Sequence, residues 1–190
     1  MSKIVLPGEP LVEGPTVLRP WRDTDLRAVA EACQDPEIAR WTAVPDNYSE
    51  ADARAFLLYR YDALLAGTTA PFAVVSGSDQ LLGSVALMRI DWQHRRGEAG
   101  YWLARWGRGQ GHATRALKMI SGWGFEALGM ERIELYAATG NRPSQRVAER
   151  AGFVREGVRR AYMRGKDGQQ DMVAYALLAD NASGAAGAGG

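Results

Sequence analysis

Residues 100–117 read GYWLARWGRGQGHATRAL. Glu98 to Ala104 has the make-up of a strand, and Trp106–Gly111 is a loop with glycine at alternate positions from Gly107. A helix of about 15 residues is predicted directly after it, from His112 to about Leu128, with Gly129 as its C-terminal cap. The first turn of a helix offers backbone N–H groups without intrahelical partners and the positive end of the helix dipole. Glycines let the backbone approach a bulky anion. A strand, a glycine loop and a helix N-terminus in that order point to a pyrophosphate site. Two common versions do not fit. No Lys-Ser/Thr follows the last glycine, as a P-loop requires. Gly107, Gly109 and Gly111 alternate and His112 comes next, so no GxGxxG forms.

Working outward, residues 1–15 hold three prolines and two glycines and are expected to be an irregular lead-in. Thr16–Trp21 is a short strand that proline ends. Thr24 is placed to cap a helix from Asp25 to about Gln34. Ser49, with Asp52 three residues on, forms a loose capping box for a second helix, which Gly67 stops. Pro71–Ser76, Leu81–Trp92 and Glu98–Ala104 are strands, divided by turns at Gly77–Asp79 and His94–Gly97. Downstream, Arg132–Ala138 is a strand and Pro143–Ala151 a short helix. Phe153–Tyr162 and Gln170–Leu178 are two strands joined at Gly165–Gly168. Gly122 and Gly124 inside the long helix each cost about 1 kcal/mol against alanine, which predicts close packing there. The sum is a single mixed α/β domain over residues 16–180 with a largely antiparallel sheet. Residues 181–190 are alanine, glycine, serine and asparagine, too poor in apolar surface to order, and this tail is expected to be disordered.

A chain of 190 residues, 46% hydrophobic and 24% charged, suits one globular domain with a core of good size. Its formal net charge of +1 gives no whole-protein field for nucleic acid or an acidic membrane, so neither is an expected partner. Cys33 is the one cysteine, which rules out an internal disulfide or a metal site of several cysteines; it reads as a buried small hydrophobe. No metal-ligand spacing and no Ser/His/Asp set stands out. His94 reads as a turn residue, and His112 as one whose backbone matters more than its ring. No stretch approaches 18 uninterrupted apolar residues. Met1–Pro10 lacks the charged start and apolar run of a signal peptide, so a cytoplasmic location is expected.

Arg108–Ala113, RGQGHA, matches the Arg/Gln-x-x-Gly-x-Gly/Ala signature of the GCN-five-related N-acetyltransferase (GNAT) superfamily. Gly100–Leu103 with Trp106–Thr114 resembles more closely the RimJ/RimL-type ribosomal-protein N-terminal acetyltransferases. So do the block Asn141–Phe153 (NRPSQRVAERAGF), the pair Glu156-Gly157 after it, and Leu18–Trp21 near the start. The likeness runs from about Thr16 to Leu178. It implies a GNAT fold of class α/β (α+β): a mixed, mostly antiparallel central sheet of about six to seven strands with about four flanking helices. The sheet would be splayed in its middle to admit coenzyme A.

The resemblance also implies residue roles. Backbone amides of Arg108, Gly109, Gln110, Gly111, His112 and Ala113 would hold the CoA pyrophosphate, with the Thr114 hydroxyl added. Backbone around Leu103 and Ala104 would pair with the pantetheine arm. Asn141 would contact the pantetheine or order water, and Ser144 would hydrogen-bond the departing thiolate. Read from residues alone, Asn141 is a turn residue ahead of a proline-started helix and Ser144 a first-turn residue. Many relatives place a tyrosine four residues before the Gly-Phe pair. Ala148 stands there, which shifts the acid role toward Ser144 or toward no protein acid. Glu98 occupies the position of the superfamily's base; its other reading is a surface ion pair with Arg95 and Arg96. Arg89, His94, Arg95, Arg96, Arg159, Arg160, Arg164 and Lys166 are a solvated face or a basic rim for the CoA 3′-phosphate or an acidic acceptor.

The implied activity is direct transfer of an acetyl group from acetyl-CoA, a cosubstrate, to a primary amine, without metal. Only a neutral amine attacks. A protein α-amine with pKa near 8 is roughly one-tenth neutral at pH 7, a lysine near 10.4 well under a thousandth, so lysine needs a base more. The likeness puts a protein N-terminal α-amine first as acceptor and a small amine (antibiotic, polyamine or amino acid) second. Another acyl group, such as succinyl, stays open, as does a homodimer. From other classes come a CoA-binding regulator without chemistry and an RNA- or ribosome-binding module.

Overall fold

Apolar runs form the middle of the sheet, where both faces are covered. β3 (Ala70–Ser76) and β4 (Leu81–Asp91) are buried along most of their length. Around them the chain runs β1 (Leu11–Glu13), β2 (Thr16–Arg19), α1 (Leu26–Ala32), α2 (Pro36–Trp41), α3 (Glu50–Leu65), β3, β4 and β5 (Arg96–Leu103). It continues through α4 (His112–Leu128), β6 (Arg132–Ala138), α5 (Arg142–Arg150), β7 (Val154–Gly165) and β8 (Gly168–Leu178). The computed structural model describes residues 4–166 and 168–180. Within these, eight strands make one sheet in the order β1-β2-β3-β4-β5-β6-β8-β7. Neighbours are antiparallel except β5 and β6, a parallel pair whose crossover is α4. That pair covers only Arg96–Glu98 against Arg132–Glu134. Beyond these rungs the strands part, and the sheet is splayed as the resemblance implies.

α4 covers one face. Ala116, Leu117, Ile120 and Trp123 recur at helical spacing and pack with Phe72, Leu87 and Ile133 in the larger core. Phe72 meets Trp123 edge-on at 5.3 Å between ring centres. A methyl at Gly124 would stand 2.6 Å from Leu87 Cδ1 and 3.2 Å from Ile133 Cδ1, which bears out close packing there; Gly122 has nothing within 4 Å. Gly129 ends the helix at φ 63°, the left-handed cap expected of it. On the opposite face Val29, Ala53, Val75 and Trp102 form a second core between α1, α3 and the sheet. The Ser49–Asp52 box opens α3 as predicted: Ser49 N donates to Asp52 Oδ2 at 2.9 Å and Asp52 N to Ser49 Oγ at 3.3 Å.

The structure departs from the sequence expectations in local places. The lead-in contains β1, which zips onto β2, and α2 falls between Gln34 and Ser49, where no element is predicted, so the described residues hold eight strands and five α-helices. Thr24 caps no helix. It sits inside a short 3₁₀ turn, Asp23–Asp25, and α1 starts at Leu26. The cause is Arg19, whose guanidinium makes two 2.8 Å bonds to the buried Asp25 carboxylate and so draws the turn onto the sheet. β7 and β8 reach further into their hairpin than predicted; Asp167 in that turn lies outside the described residues. So do residues 1–3 and the 181–190 tail, whose expected disorder is therefore not part of the description. Among the described residues no helix is long and apolar enough to cross a membrane.

Candidate active site

At the end of β5 the chain turns through Arg105–Gly107 and reaches α4 by two left-handed residues, Gly109 (φ 77°) and Gly111 (φ 78°). Side chains rarely take that conformation, which is why glycine stands at both. The amides of Gly109 through Thr114 have no acceptor among the described residues. They surround an N-terminus with no side-chain cap, and a methyl at Gly109 would meet nothing within 4 Å. This is an open cradle of donors suited to a diphosphate. Arg108 departs from its predicted role. Its amide turns to Arg105 O at 3.4 Å. Its side chain bonds Leu103 O (3.0 and 2.8 Å) and pairs with Asp35 at 2.8 Å. Gln110 folds its amide back onto Trp106 O at 3.1 Å.

Polar contacts brace the cradle. Arg115 donates from Nε to Thr16 Oγ1 (2.7 Å) and from Nη2 to Gln110 O (2.5 Å). Thr16 Oγ1 lies 2.8 Å from His112 Nδ1. Burial, then the Arg115 charge, holds the His112 pKa below its ordinary value. The ring is a strut beside the backbone to which the sequence reading gives the larger part.

The gap between β5 and β6 continues from the cradle. Ala104 N donates to Leu82 O at 2.9 Å, so by alternation the Tyr101 and Leu103 backbones turn away from β4 toward the gap. Of the predicted pantetheine pair, Leu103 fits through its N–H, its carbonyl being taken by Arg108, and Ala104 does not: its N–H is spent on β4. Alternation also sorts side chains. Trp102 packs with the α1–α3 layer, and Glu98 shares its face; Ala99 and Tyr101 face the α4 layer.

Glu98 is 14% exposed, and Arg89 reaches its Oε2 at 2.5 Å from a left-handed residue in the β4 bulge. Burial pushes the carboxyl above its ordinary range, with the Arg89 charge opposing. The predicted alternative of pairing with Arg95 and Arg96 is not met, since these bind Glu131 and Asp91. Ser144 Oγ lies 2.9 Å from the Tyr101 hydroxyl, and Ser144 N donates to Asn141 Oδ1 at 3.2 Å. Asn141 thus caps α5, its local reading, with no partner for its NH₂ among the described residues. Tyr101, to which the sequence analysis gives no role, is pushed up to about 12 by burial. Ala148 is fully buried in the core and supplies no acid.

Glu98, Tyr101, Leu103, Gly109, Gly111, His112, Ala113, Thr114, Asn141 and Ser144 all line one cleft of about 850 Å³; Ala104 and Gln110 do not. The model of the acetyltransferase (GNAT) domain matches residues 16–154, most of the chain and both flanks of this cleft. The chain belongs to the GNAT family. It is a GNAT N-acetyltransferase, and enzymes of this family use acetyl-CoA. YdaF of Bacillus subtilis (strain 168), provisionally named a ribosomal N-acetyltransferase, is 30% identical over 148 residues, 74% of this chain and 78% of YdaF. Spermidine N(1)-acetyltransferase of Escherichia coli (strain K12) is 28% identical over 142 residues, 74% of this chain and 73% of that one. Mycobacterium smegmatis RimJ in complex with CoA-disulfide superposes with a TM-score of 0.81 over 90% of this chain and 89% of RimJ, at 24% identity, a likeness of fold.

Proposed function

We propose that this GNAT enzyme acetylates the α-amine at the N-terminus of a protein. The observation that carries the reading is the charge of the cleft. Arg60, Arg146, Arg150 and Arg164 line it without an ion pair among the described residues, Arg40 and Arg108 pair with Glu37 and Asp35, and Asp52 and Glu98 are the other carboxylates of the lining. Asp52 is held in the α3 cap and Glu98 by Arg89. A polyamine carries several positive charges at neutral pH and is repelled there; a peptide N-terminus brings one, and that one is lost on reaction. The likeness to YdaF points the same way, and the similar likeness to a spermidine enzyme does not outweigh the arginines.

The residues divide the work by face. The Gly109–Thr114 amides hold the diphosphate of acetyl-CoA, and the Tyr101 and Leu103 backbones pair with its arm in the gap. The Asn141 NH₂ is left to orient the arm or a water. On the α3 side Glu98 takes the proton of the incoming ammonium, directly or through water, and its raised pKa brings it nearer to the amine's. The amine nitrogen then bonds to the acetyl carbon as the carbon–sulfur bond breaks, and the second N–H proton it sheds passes through water to the departing sulfur, so that CoA leaves as the thiol. On the α4 side the Ser144 hydroxyl donates to the leaving thiolate, and Tyr101, a firm acid that stays protonated, supports Ser144 by donating to its Oγ. Backbone N–H groups facing the gap polarise the carbonyl.

The test is thiol release from acetyl-CoA with N-terminal peptides, lysine peptides blocked at the α-amine, and spermidine. N-terminal peptides are expected to exceed spermidine at least about tenfold in kcat/KM. Preference for spermidine would overturn the assignment of the acceptor.

A further inference from the structure

Arg60 lines the cleft from α3, and no step of acetyl transfer uses it. Its guanidinium carbon lies 5.0 Å from the centre of the Phe56 ring, and Phe56 is itself met edge-on by Trp21 at 5.6 Å. Such stacking fixes the plane of the guanidinium and leaves its N–H edge for an acceptor. Arg60 Nε is buried without a hydrogen-bond partner, and among the described residues no ion pair forms at Arg60. The carboxylates that share the cleft are engaged elsewhere: Glu37 with Arg40 and Trp41, Asp52 with Ser49, Glu98 with Arg89. Burial holds Arg60 below the usual arginine range, as for a desolvated cation with no anion beside it. Nε is closed to solvent, so the gain from an anion comes at the part of the guanidinium that lines the cleft, where it meets a cation with no ion pair and makes a charge-assisted bond.

Both Arg60 and Glu98 open on the α3 side of the sheet within the same cleft. We infer that Arg60 is a carboxylate subsite of the acceptor site, receiving an acidic side chain that closely follows the residue whose α-amine meets Glu98. The inference rests on the N-terminal reading above and narrows it to acidic N-termini. The planar fork of arginine matches the two oxygens of a carboxylate, which distinguishes an aspartate from its amide.

Hexapeptides identical except for Asp or Asn at the second, third or fourth position supply the test, by thiol release from acetyl-CoA. At one of these positions the Asp peptide is expected to exceed its Asn twin about tenfold in kcat/KM, the scale of one charge-assisted bond. In Arg60→Gln the ratio is expected to fall to within about twofold, with KM for acetyl-CoA held. Arg60→Lys keeps part of it, since the ammonium retains the charge but not the fork. Calorimetry of acetyl-CoA binding to both variants establishes that they are folded. Equal rates for the twins at every position in the wild type would overturn the subsite and leave N-terminal acetylation standing. A preference that survives Arg60→Gln would overturn it too, because the acid would then be read elsewhere. No turnover of any peptide, with spermidine acetylated, would remove the N-terminal reading and the subsite together.

Discussion

Replacing Glu98 by glutamine keeps the shape of the side chain and removes a charge whose burial raises its pKa. Losing a general base lowers kcat by about 10²- to 10⁴-fold. Stability moves the other way. A carboxyl with a folded pKa above its unfolded one favours the fold while protonated; that contribution is complete below the unfolded pKa and lost as pH rises through the folded one. At pH 7 ionised Glu98 therefore burdens the fold. Glu98→Gln is expected to melt no lower than the wild type there, with its advantage shrinking as pH falls into the carboxylate range. In the wild type kcat/KM is expected to climb with pH through the raised Glu98 value, and the variant to lack this limb. A variant that loses stability along with activity would make Glu98 only the partner of Arg89. Ser144 is singled out in sequence only by the family likeness of its block, since by its own residue type it is a first-turn residue of a proline-started helix. Tyr101 is not singled out: nothing in a strand says which group its hydroxyl meets 43 residues away. Tyr101→Phe and Ser144→Ala are each expected to lower kcat about tenfold, and the double variant scarcely further, as for members of one relay. Losses that multiply would show two independent groups.

The β5–α4 junction is where sequence says most, since alternate glycines before a helix leave few alternatives for the backbone. Gly109→Ala tests it as an element. The left-handed φ of 77° costs alanine about 1–2 kcal/mol, and the new methyl meets nothing within 4 Å, so on the proposed placement it stands in the space of the diphosphate. The expected variant melts slightly lower, with KM for acetyl-CoA raised about tenfold or more and kcat at saturation within about twofold. An unchanged KM would mean that these amides do not hold the diphosphate. Shorter elements are less legible. α2 is six residues started by Asp35 and Pro36, too brief for a periodic pattern, and β1 is three residues between prolines. Thr24 has the residue type of a cap, but Asp25 is claimed by Arg19 across the turn, and an ion pair of that kind has no local signature. Glu98 shows the same limit. Its partner Arg89 is brought to it by a bulge in β4 rather than by nearness in the hairpin turn.

On the scale of the molecule the sheet is two pieces, β1–β5 and β6–β8–β7, joined edge to edge through three residues on each side. α4 spans the join, and the cleft has walls on both pieces: β5 and the cradle on one, β6 and α5 on the other. A ligand seated there ties the pieces together and, binding only the folded chain, stabilises it by mass action, by about 2.7 kcal/mol at one hundred times Kd. For a domain of this length that corresponds to a rise in Tm of roughly 5–10 °C. The two halves of the ligand act on different elements. On the proposed placement acetyl-pantetheine reaches only the gap, whereas acetyl-CoA also engages the cradle. Each is compared at the same free concentration, set near one hundred times the Kd of acetyl-CoA. The wild type is then expected to show a clearly larger shift with acetyl-CoA, and Gly109→Ala to lose most of that difference while keeping the small shift with acetyl-pantetheine. Hydrogen exchange at the Tyr101 and Leu103 amides is expected to slow with either ligand, because both occupy the gap those amides face. Equal melting shifts for the two ligands in the wild type would mean that binding is carried by the splayed strands alone and that the glycine turn contributes nothing to it.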